Sequence, residues 1–479
     1  MKKTKCPKNR ALFSVYVWLD TDDNVKFTKD YSITHERIIH LSRHSPTLIA
    51  RLSENELEEI LKDKRCLGVS SWKNLRFENN SAEILEQIDY TELTFEGGSE
   101  WEIGMISTER ETFSAQSPQL TSAVMRGEVA VIPYVVPPIT ALHPSVVLSE
   151  IIGEELEVDG KVYRGIVTGA RVLFSTSETI LDVLRTLEIF LDMGVGIINF
   201  SAGLLNPEGY SDFDRQIDLL IRENAFLFVT ASGNRRVVSS PGISFNSLAV
   251  GNLQTKASPD TSLLPPWSSY CINAVNCSGY LADSTTSHKP DVTAPGTYIP
   301  YVTPNYQIYA ENTGTSFACP WVTGLACILK REDLSLSYLE LKALIALSCS
   351  RDLISEDFNE VIDGEQVIRT RTGCGVISVE RSLYFLRNAD ISSFRFNGRR
   401  EKRVSLSEGE RLFISFCFAV SRMGDSISLS LQSPRERIIC DRPNQNLHVI
   451  EYTARENETA VITLKGTPDL ECTLVAVII

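Results

Sequence analysis

Short apolar runs rich in β-branched residues recur through the middle of this chain, and helical patterns separate them. The apolar runs cover residues 128–132, 171–174, 196–200, 225–230 and 247–250, and the helical patterns cover residues 180–193 and 212–223. Strands that alternate with helices predict a parallel sheet with helices on both faces. In such folds, ligands bind beyond the carboxyl ends of the strands. The sequence therefore predicts an α/β domain over residues 128–391, with its site at one edge of the sheet.

Small residues at Gly314-Thr315-Ser316 run into an apolar segment that contains Pro320 and Gly324. At the start of a helix, backbone N–H groups without partners favour developing negative charge near a serine hydroxyl. Pro320 suits the first turn, where a missing N–H costs nothing. This pattern is typical of a presented nucleophile, although the same residues also suit an ordinary helix N-cap.

This segment closely resembles the nucleophile motif G-T-S-x-A-x-P of subtilisin-like serine proteases, because Ala318 and Pro320 match as well. Two further segments resemble the family in the family order. Residues 197–203 are similar to the strand that lines the substrate cleft, and residues 229–234 to the strand that ends in an oxyanion-hole asparagine. The resemblance implies a serine endopeptidase that works through an acyl-enzyme.

The resemblance also implies roles for individual residues. Ser316 would attack the scissile carbonyl, His143 would be the general base, and Asn234 would stabilise the oxyanion together with the Ser316 N–H. An extended peptide would pair with the cleft as an added strand. The residues implied to line that cleft are Ser201, Ala202, Gly203, Ala231, Ser232 and Gly233. No cofactor is implied, and no carboxylate-rich loop predicts a metal site.

The chain departs from the family at the group that activates the serine. The first strand of the family ends in Asp-Ser/Thr-Gly, whose aspartate orients the catalytic histidine. If residues 128–132 are that strand, Pro133 replaces the aspartate, and neither D-S-G nor D-T-G occurs in the chain. His143 either begins the family's histidine helix, which the spacing to later glycines favours, or belongs to a noncatalytic His-Pro pair. His288 is no better candidate.

Three hypotheses follow from the missing aspartate. A Ser–His dyad would lose about 10⁴ in kcat relative to a full triad. The chain is then a slow protease, a protease activated by a protein partner, or a pseudoprotease that binds an extended peptide as a scaffold or sensor.

The sequence predicts a domain on each side of the α/β segment. Residues 10–80 predict a small α+β domain, with a helix at residues 33–43 and a capping box formed by Ser53 and Glu56. This domain resembles the inhibitory propeptide of the family, and residues 81–127 are predicted to be a linker that is cut during maturation. Residues 392–479 contain short strands separated by turns and predict a β-sandwich.

Composition limits the partners and the compartment. A net charge of -14 argues against nucleic acid as a partner. Eleven cysteines without a C-x-x-C pair favour a reducing compartment, and we expect the cytoplasm. No apolar stretch approaches the roughly 20 residues that span a bilayer, so we expect no membrane partner. The expected partners are a polypeptide substrate or bound peptide and the chain's own N-terminal domain.

Overall fold

The computed structural model describes most of the chain. The described residues are 12–21, 23–73, 75, 101–108, 128–131, 142–204, 209–234, 238–253, 289–302, 306–350, 360–363, 366–370, 372–441 and 445–479. In these ranges, no helix is both long enough and apolar enough to cross a membrane.

The N-terminal domain is a four-stranded antiparallel sheet with two short helices. Its elements are β1 (Leu12–Leu19), α1 (Asn24–Asp30), β2 (Ile38–Leu41), β3 (Thr47–Ser53), α2 (Glu54–Ile60) and β4 (Cys66–Ser71), and the strand order is β2-β3-β1-β4. The capping box is confirmed, because the Ser53 N–H and hydroxyl donate to Glu56 Oε2 at 2.8 and 2.6 Å. The helix expected at residues 33–43 is wrong. Only His35–Arg37 form a 3-10 turn, and Ile38 then pairs with β3.

Both faces of β1 are buried, each in a different core. Val15, Val17 and Leu19 pack with the helices of the same domain. Tyr16 and Trp18 point to the opposite face, because side chains alternate along a strand, and they join the core of the central domain. The N-terminal domain is therefore seated on the central domain through an apolar face.

The central domain contains the predicted parallel sheet. Its strands, in spatial order, are β13 (Val292–Pro295), β12 (Leu248–Leu253), β11 (Leu227–Ala231), β10 (Ile197–Phe200), β5 (Ile103–Ser107), β9 (Val172–Thr176) and β6 (Val129–Val131). Every pair of neighbouring strands is parallel. Two-stranded hairpins are added by β7 (Leu156–Val158) with β8 (Lys161–Tyr163), β14 (Thr297–Val302) with β15 (Ile308–Thr313), and β16 (Glu360–Asp363) with β17 (Gln366–Thr370).

The position of β5 corrects the predicted linker. Ile103–Ser107 lie within residues 81–127, yet this strand is interior, since Ile103 pairs with Ile197 on one side and Val172 on the other. The strand is short and contains Gly104. A Cβ added at Gly104 would lie 2.4 Å from Phe190, so the glycine permits close packing at this point. The strand therefore lacks the long apolar run by which a buried strand is recognised in a sequence. The other residues of the predicted linker, 81–100 and 109–127, lie outside the described ranges.

Helices cover the sheet of the central domain. They are α3 (Leu142–Ile152), α4 (Ile180–Asp192), α5 (Asp212–Asn224), α6 (Thr315–Glu332), α7 (Tyr338–Ser348) and α8 (Val379–Asn388). Capping boxes start α4 at Thr179, α5 at Ser211 and α7 at Ser337. The most buried long helix, α6, packs across β10 to β13 and against α3. Its N-terminus therefore lies near the carboxyl ends of the middle strands.

The C-terminal domain is the predicted β-sandwich. One sheet has the order β18 (Asp390–Arg395), β25 (Glu471–Ile478), β20 (Arg411–Phe418) and β23 (Leu447–Thr453). The other has the order β19 (Arg399–Leu406), β24 (Glu458–Gly466), β21 (Ile427–Gln432) and β22 (Arg437–Cys440). β18 begins before the boundary predicted at residue 392. Leu412 and Phe416 of β20 fill the sandwich, whereas Phe413 and Cys417 pack into the central core.

Candidate active site

Gly314 has an extended backbone and directly precedes α6. Thr315 is the first residue of this helix, and Ser316 is the second. The first four N–H groups of a helix have no partner within it, so Ser316 lies at the positive end of the helix dipole. Most of the helix is buried, but Ser316 remains partly exposed. Pro320 is the sixth helical residue, one turn later than predicted, and it cannot donate to the Ser316 carbonyl. The serine is therefore accessible at an electropositive helix start.

Asn234 follows β11, and the start of α6 holds its side chain. The Thr315 N–H and hydroxyl donate to Asn234 Oδ1 at 2.8 and 3.0 Å. Because a backbone N–H can only donate, the amide oxygen must face Thr315, and Nδ2 points away from it. A Cβ added at Gly314 would lie 3.2 Å from Asn234 Nδ2 and 3.3 Å from Ser316 Oγ. The amide donor and the serine hydroxyl therefore converge on the same point beside Gly314.

His143 is the second residue of α3, and its ring packs against Phe317, the neighbour of Ser316. The two ring centroids lie 5.0 Å apart with the planes tilted by 58°. Burial lowers the pKa of His143 to about 4, so its imidazole is neutral at neutral pH. A neutral imidazole can accept a proton, although this low pKa makes it a weaker base than an ordinary histidine.

A hydrogen bond between a partly buried tryptophan and a buried glutamate joins α3 to α6. Trp321 Nε1 donates to Glu150 Oε1 at 2.9 Å. Burial raises the pKa of Glu150 well above its usual range, although the hydrogen bond from Trp321 opposes this shift. The carboxyl therefore keeps its proton to a higher pH than an ordinary glutamate, and its contact with Trp321 links the helix of His143 to the helix of Ser316.

Two chain segments leave the carboxyl ends of β10 and β11 side by side. These strands are parallel neighbours in which Phe200 pairs with Thr230. The segments contain the residues that the sequence predicts for substrate binding: Ser201, Ala202 and Gly203 in one, and Ala231, Ser232 and Gly233 in the other. The structure therefore brings both predicted segments together next to Asn234.

Two residues of this region make contacts that the sequence does not predict. Thr315 fixes the orientation of Asn234, and its hydroxyl also accepts from the Gly233 N–H at 3.0 Å. Its position next to Ser316 in the sequence predicts that Thr315 lies near the nucleophile, but it does not predict the contact with Asn234. Ser239 donates its N–H to the Ser232 carbonyl at 2.9 Å, and no sequence signal marks it.

Comparison with known families agrees with this geometry. Residues 143–369 match the model of Peptidase_S8, the subtilase family. This stretch of the chain is therefore similar to a subtilase domain. The match includes Ser201–Gly203, Asn234 and Ser316, and it begins at His143. No curated protein matches this chain.

One solved structure supports the same fold over a larger part of the chain. Fervidolysin from Fervidobacterium pennivorans, described as a keratinolytic enzyme related to subtilisin, is 13% identical with a TM-score of 0.52, and the match covers 96% of this chain and 70% of that one. The self-cleaved protease domain of PatA is 21% identical with a TM-score of 0.45, over 60% of this chain and 96% of that one. At such identities the likeness concerns the fold.

The predicted replacement of the subtilase aspartate by Pro133 depends on residues 128–132 being the first strand of the sheet, which the sheet order does not support. In chain order, the first strand of the sheet is β5, and β6, which precedes Pro133, is an edge strand. The end of β5 is therefore the position to compare with the family's Asp-Ser/Thr, and this chain has Ser107-Thr108 there. Pro133 itself lies outside the described residues. The first strand of the sheet therefore ends in a buried serine, Ser107, and not in an aspartate.

Proposed function

We propose that this chain is a serine endopeptidase of the subtilisin type. Ser316 attacks the scissile carbonyl and forms an acyl-enzyme, His143 accepts the hydroxyl proton, and Asn234 Nδ2 donates to the oxyanion. A polypeptide substrate pairs with Ser201–Gly203 as an added strand. No step requires a cofactor or a metal ion.

The observation that carries this proposal is the convergence of Asn234 Nδ2 and Ser316 Oγ beside Gly314. The amide is held by Thr315 before any substrate arrives. A donor fixed in advance stabilises developing negative charge without reorganisation, and one such donor is worth about 2.7 to 4 kcal/mol of transition-state energy. This arrangement suits a tetrahedral intermediate better than simple peptide binding, which needs no oxyanion donor.

The replaced aspartate predicts slow turnover. An aspartate normally orients the imidazole and stabilises the imidazolium, and its loss costs about 10⁴ in kcat. His143 is also partly buried, and this burial lowers its pKa to about 4, which disfavours the imidazolium further. A protein partner or a rearrangement that supplies a carboxylate would raise the rate.

The N-terminal domain has the contacts expected of a propeptide-like partner. It rests on α4 and α5, where the Ser42 hydroxyl donates to Glu188 Oε1 at 2.6 Å and Arg215 lies 4.1 Å from the Trp18 ring centroid. After β4, the Leu75 carbonyl accepts from the Ile180 N–H at the start of α4. We propose that this domain assists folding and restrains activity, and that Ser316 cleaves the chain between residues 76 and 100. A cut further on, after residue 108, would leave β5 on the N-terminal fragment, although β5 is an interior strand of the central sheet.

The second candidate is a pseudoprotease that binds an extended peptide and acts in the cytoplasm as a scaffold or sensor. Two observations favour it: the buried Ser107 at the end of β5, and the partly buried His143 with its low pKa. Both features weaken activation of the serine, and neither changes the two cleft segments.

One experiment distinguishes the two candidates. Wild type, Ser316→Ala, His143→Ala and Asn234→Ala are treated with a small fluorophosphonate, and the labelling rate and intact mass are followed. An endopeptidase gives labelling and cleavage between residues 76 and 100 that disappear in Ser316→Ala and slow at least tenfold in His143→Ala. Because His143 is already neutral above about pH 5, the rate should not fall between pH 8 and pH 5.5. Absence of labelling in wild type, with and without candidate partners, leaves the pseudoprotease.

A further inference from the structure

A short segment, Val238-Ser239-Ser240, closes the base of the cleft between its two walls. The Ser239 N–H donates to the Ser232 carbonyl at 2.9 Å. Ser240 exchanges two hydrogen bonds with Leu204, from its N–H at 2.9 Å and to its carbonyl at 2.7 Å. The segment is therefore hydrogen-bonded to both walls. Ser239 bonds to the wall that contains Ser232, and Ser240 bonds to the end of the other wall at Leu204.

The Ser239 side chain fills the space that the two wall glycines leave open. A Cβ added at Gly203 would lie 2.6 Å from Ser239 Cβ, and a Cβ added at Gly233 would lie 2.2 Å from Ser239 Oγ. Both distances are too short for real side chains, so each wall needs glycine because Ser239 is there. Gly233 also has a φ of +94°, which favours glycine independently.

The space behind Ser239 is also occupied. Val238 is fully buried and packs with Ile243, and Tyr210 covers this pair. Ser239 itself is only 5% exposed. A substrate side chain that enters between Gly203 and Gly233 therefore meets Ser239 at once, and among the described residues Val238, Ile243 and Tyr210 fill the space behind it.

We propose that Ser239 is the floor of the pocket for the residue before the scissile bond and restricts that residue to glycine, alanine or serine. This inference rests on the proposed function for the position of the scissile bond. The carbonyl of that residue lies beside Asn234 and Ser316, so its side chain lies between the adjacent walls. A single excess methylene in a closed pocket already changes discrimination by about tenfold or more. Leucine and phenylalanine are therefore excluded.

The test uses product-like peptides, whose terminal carboxylate occupies the position beside Asn234 and fixes the register. Acetylated tetrapeptides that end in Ala, Leu or Phe are titrated against the full chain carrying Ser316→Ala, and binding is measured by calorimetry. We expect the peptide ending in Ala to bind at least tenfold tighter than the one ending in Phe. Adding Ser239→Gly should reduce this ratio at least tenfold, because it removes both the Cβ and the Oγ that face the glycines.

Ser240→Ala is the matched control. It lies in the same segment, but its hydroxyl donates to Asp214 at 2.6 Å rather than facing the glycines, so the preference should be unchanged. Equal binding of all peptides, no binding of any, or a ratio that Ser239→Gly does not alter overturns the proposal. Fluorophosphonate labelling of the wild type reports the catalytic serine separately. If labelling fails while the selectivity and its loss in Ser239→Gly persist, the endopeptidase is refuted and the role of Ser239 stands.

Discussion

The buried carboxyl of Glu150 provides a pH-dependent test of the helix pair that carries His143 and Ser316. Its side chain is 7% exposed, Oε1 accepts from Trp321, and Oε2 has no hydrogen-bond partner among the described residues. We predict that Glu150→Gln stabilises the protein increasingly as pH rises. Glutamine keeps the oxygen that accepts from Trp321 and cannot ionise.

The magnitude follows from proton linkage. Burial raises the pKa of Glu150 in the folded protein, whereas the unfolded chain loses this proton near the ordinary value of 4.5. Between these two pKa values the folded state holds one more proton than the unfolded state, so the free energy of unfolding falls by about 1.4 kcal/mol per pH unit. This contribution is complete below pH 4.5 and is lost as pH rises towards the folded-state pKa. The substitution removes that slope.

Urea unfolding of wild type and Glu150→Gln at several pH values between roughly pH 5.5 and pH 7 measures the effect. Tryptophan fluorescence can follow the transition, because Trp321 contacts the substituted residue. Glu155→Gln is the control, since Glu155 is exposed and its substitution should change the free energy by less than about 0.5 kcal/mol at every pH. A difference between Glu150→Gln and wild type that does not change with pH would show that Glu150 is ionised in the folded protein.

Two further substitutions test the packing of the central domain. Lys342, fully buried on α7, donates to the Phe245 and Ser247 carbonyls at 2.8 and 2.7 Å and lies 3.8 Å from Asp291. Lys342→Met should therefore lower the thermal unfolding midpoint by an amount that corresponds to about 3–5 kcal/mol, whereas the exposed Lys465→Met should have no effect. At Gly324 of α6, an added Cβ would lie 1.8 Å from Ile166, so Gly324→Ala should destabilise by about 1–3 kcal/mol. The open Gly196→Ala serves as its control, and Ile166→Ala should offset part of the loss if the clash is the cause.

Local signals in the sequence were sufficient for much of the fold. The predicted helices at residues 180–193 and 212–223 agree with α4 and α5, because each begins with a capping box and has a regular apolar face. The same holds for β9, β10 and β11, whose apolar β-branched runs are long enough to be recognised alone. The spacing of the strands after residue 390 was enough to predict the sandwich.

Features defined by distant residues could not be predicted in this way. The strand β5 has only five residues, one of them Gly104, and its identity depends on pairing with β9 and β10. Because the sequence does not predict β5, the family's aspartate is compared with Pro133 instead of Ser107. The contact between Asn234 and Thr315 joins residues that are 81 positions apart, so no local pattern contains it. The floor formed by Ser239 depends on two separate glycines for the same reason.

The two-sided burial of β1 separates the cutting of this chain from the release of its first domain. Hydrolysis between residues 76 and 100 would break one covalent connection, but Tyr16 and Trp18 would stay in the central core. The two products would then form a noncovalent complex, held by apolar area and by contacts such as Ser42 with Glu188. Release would become a dissociation equilibrium that depends on concentration. A cleaved sample and an open cleft would therefore be two different states, distinguishable by dilution.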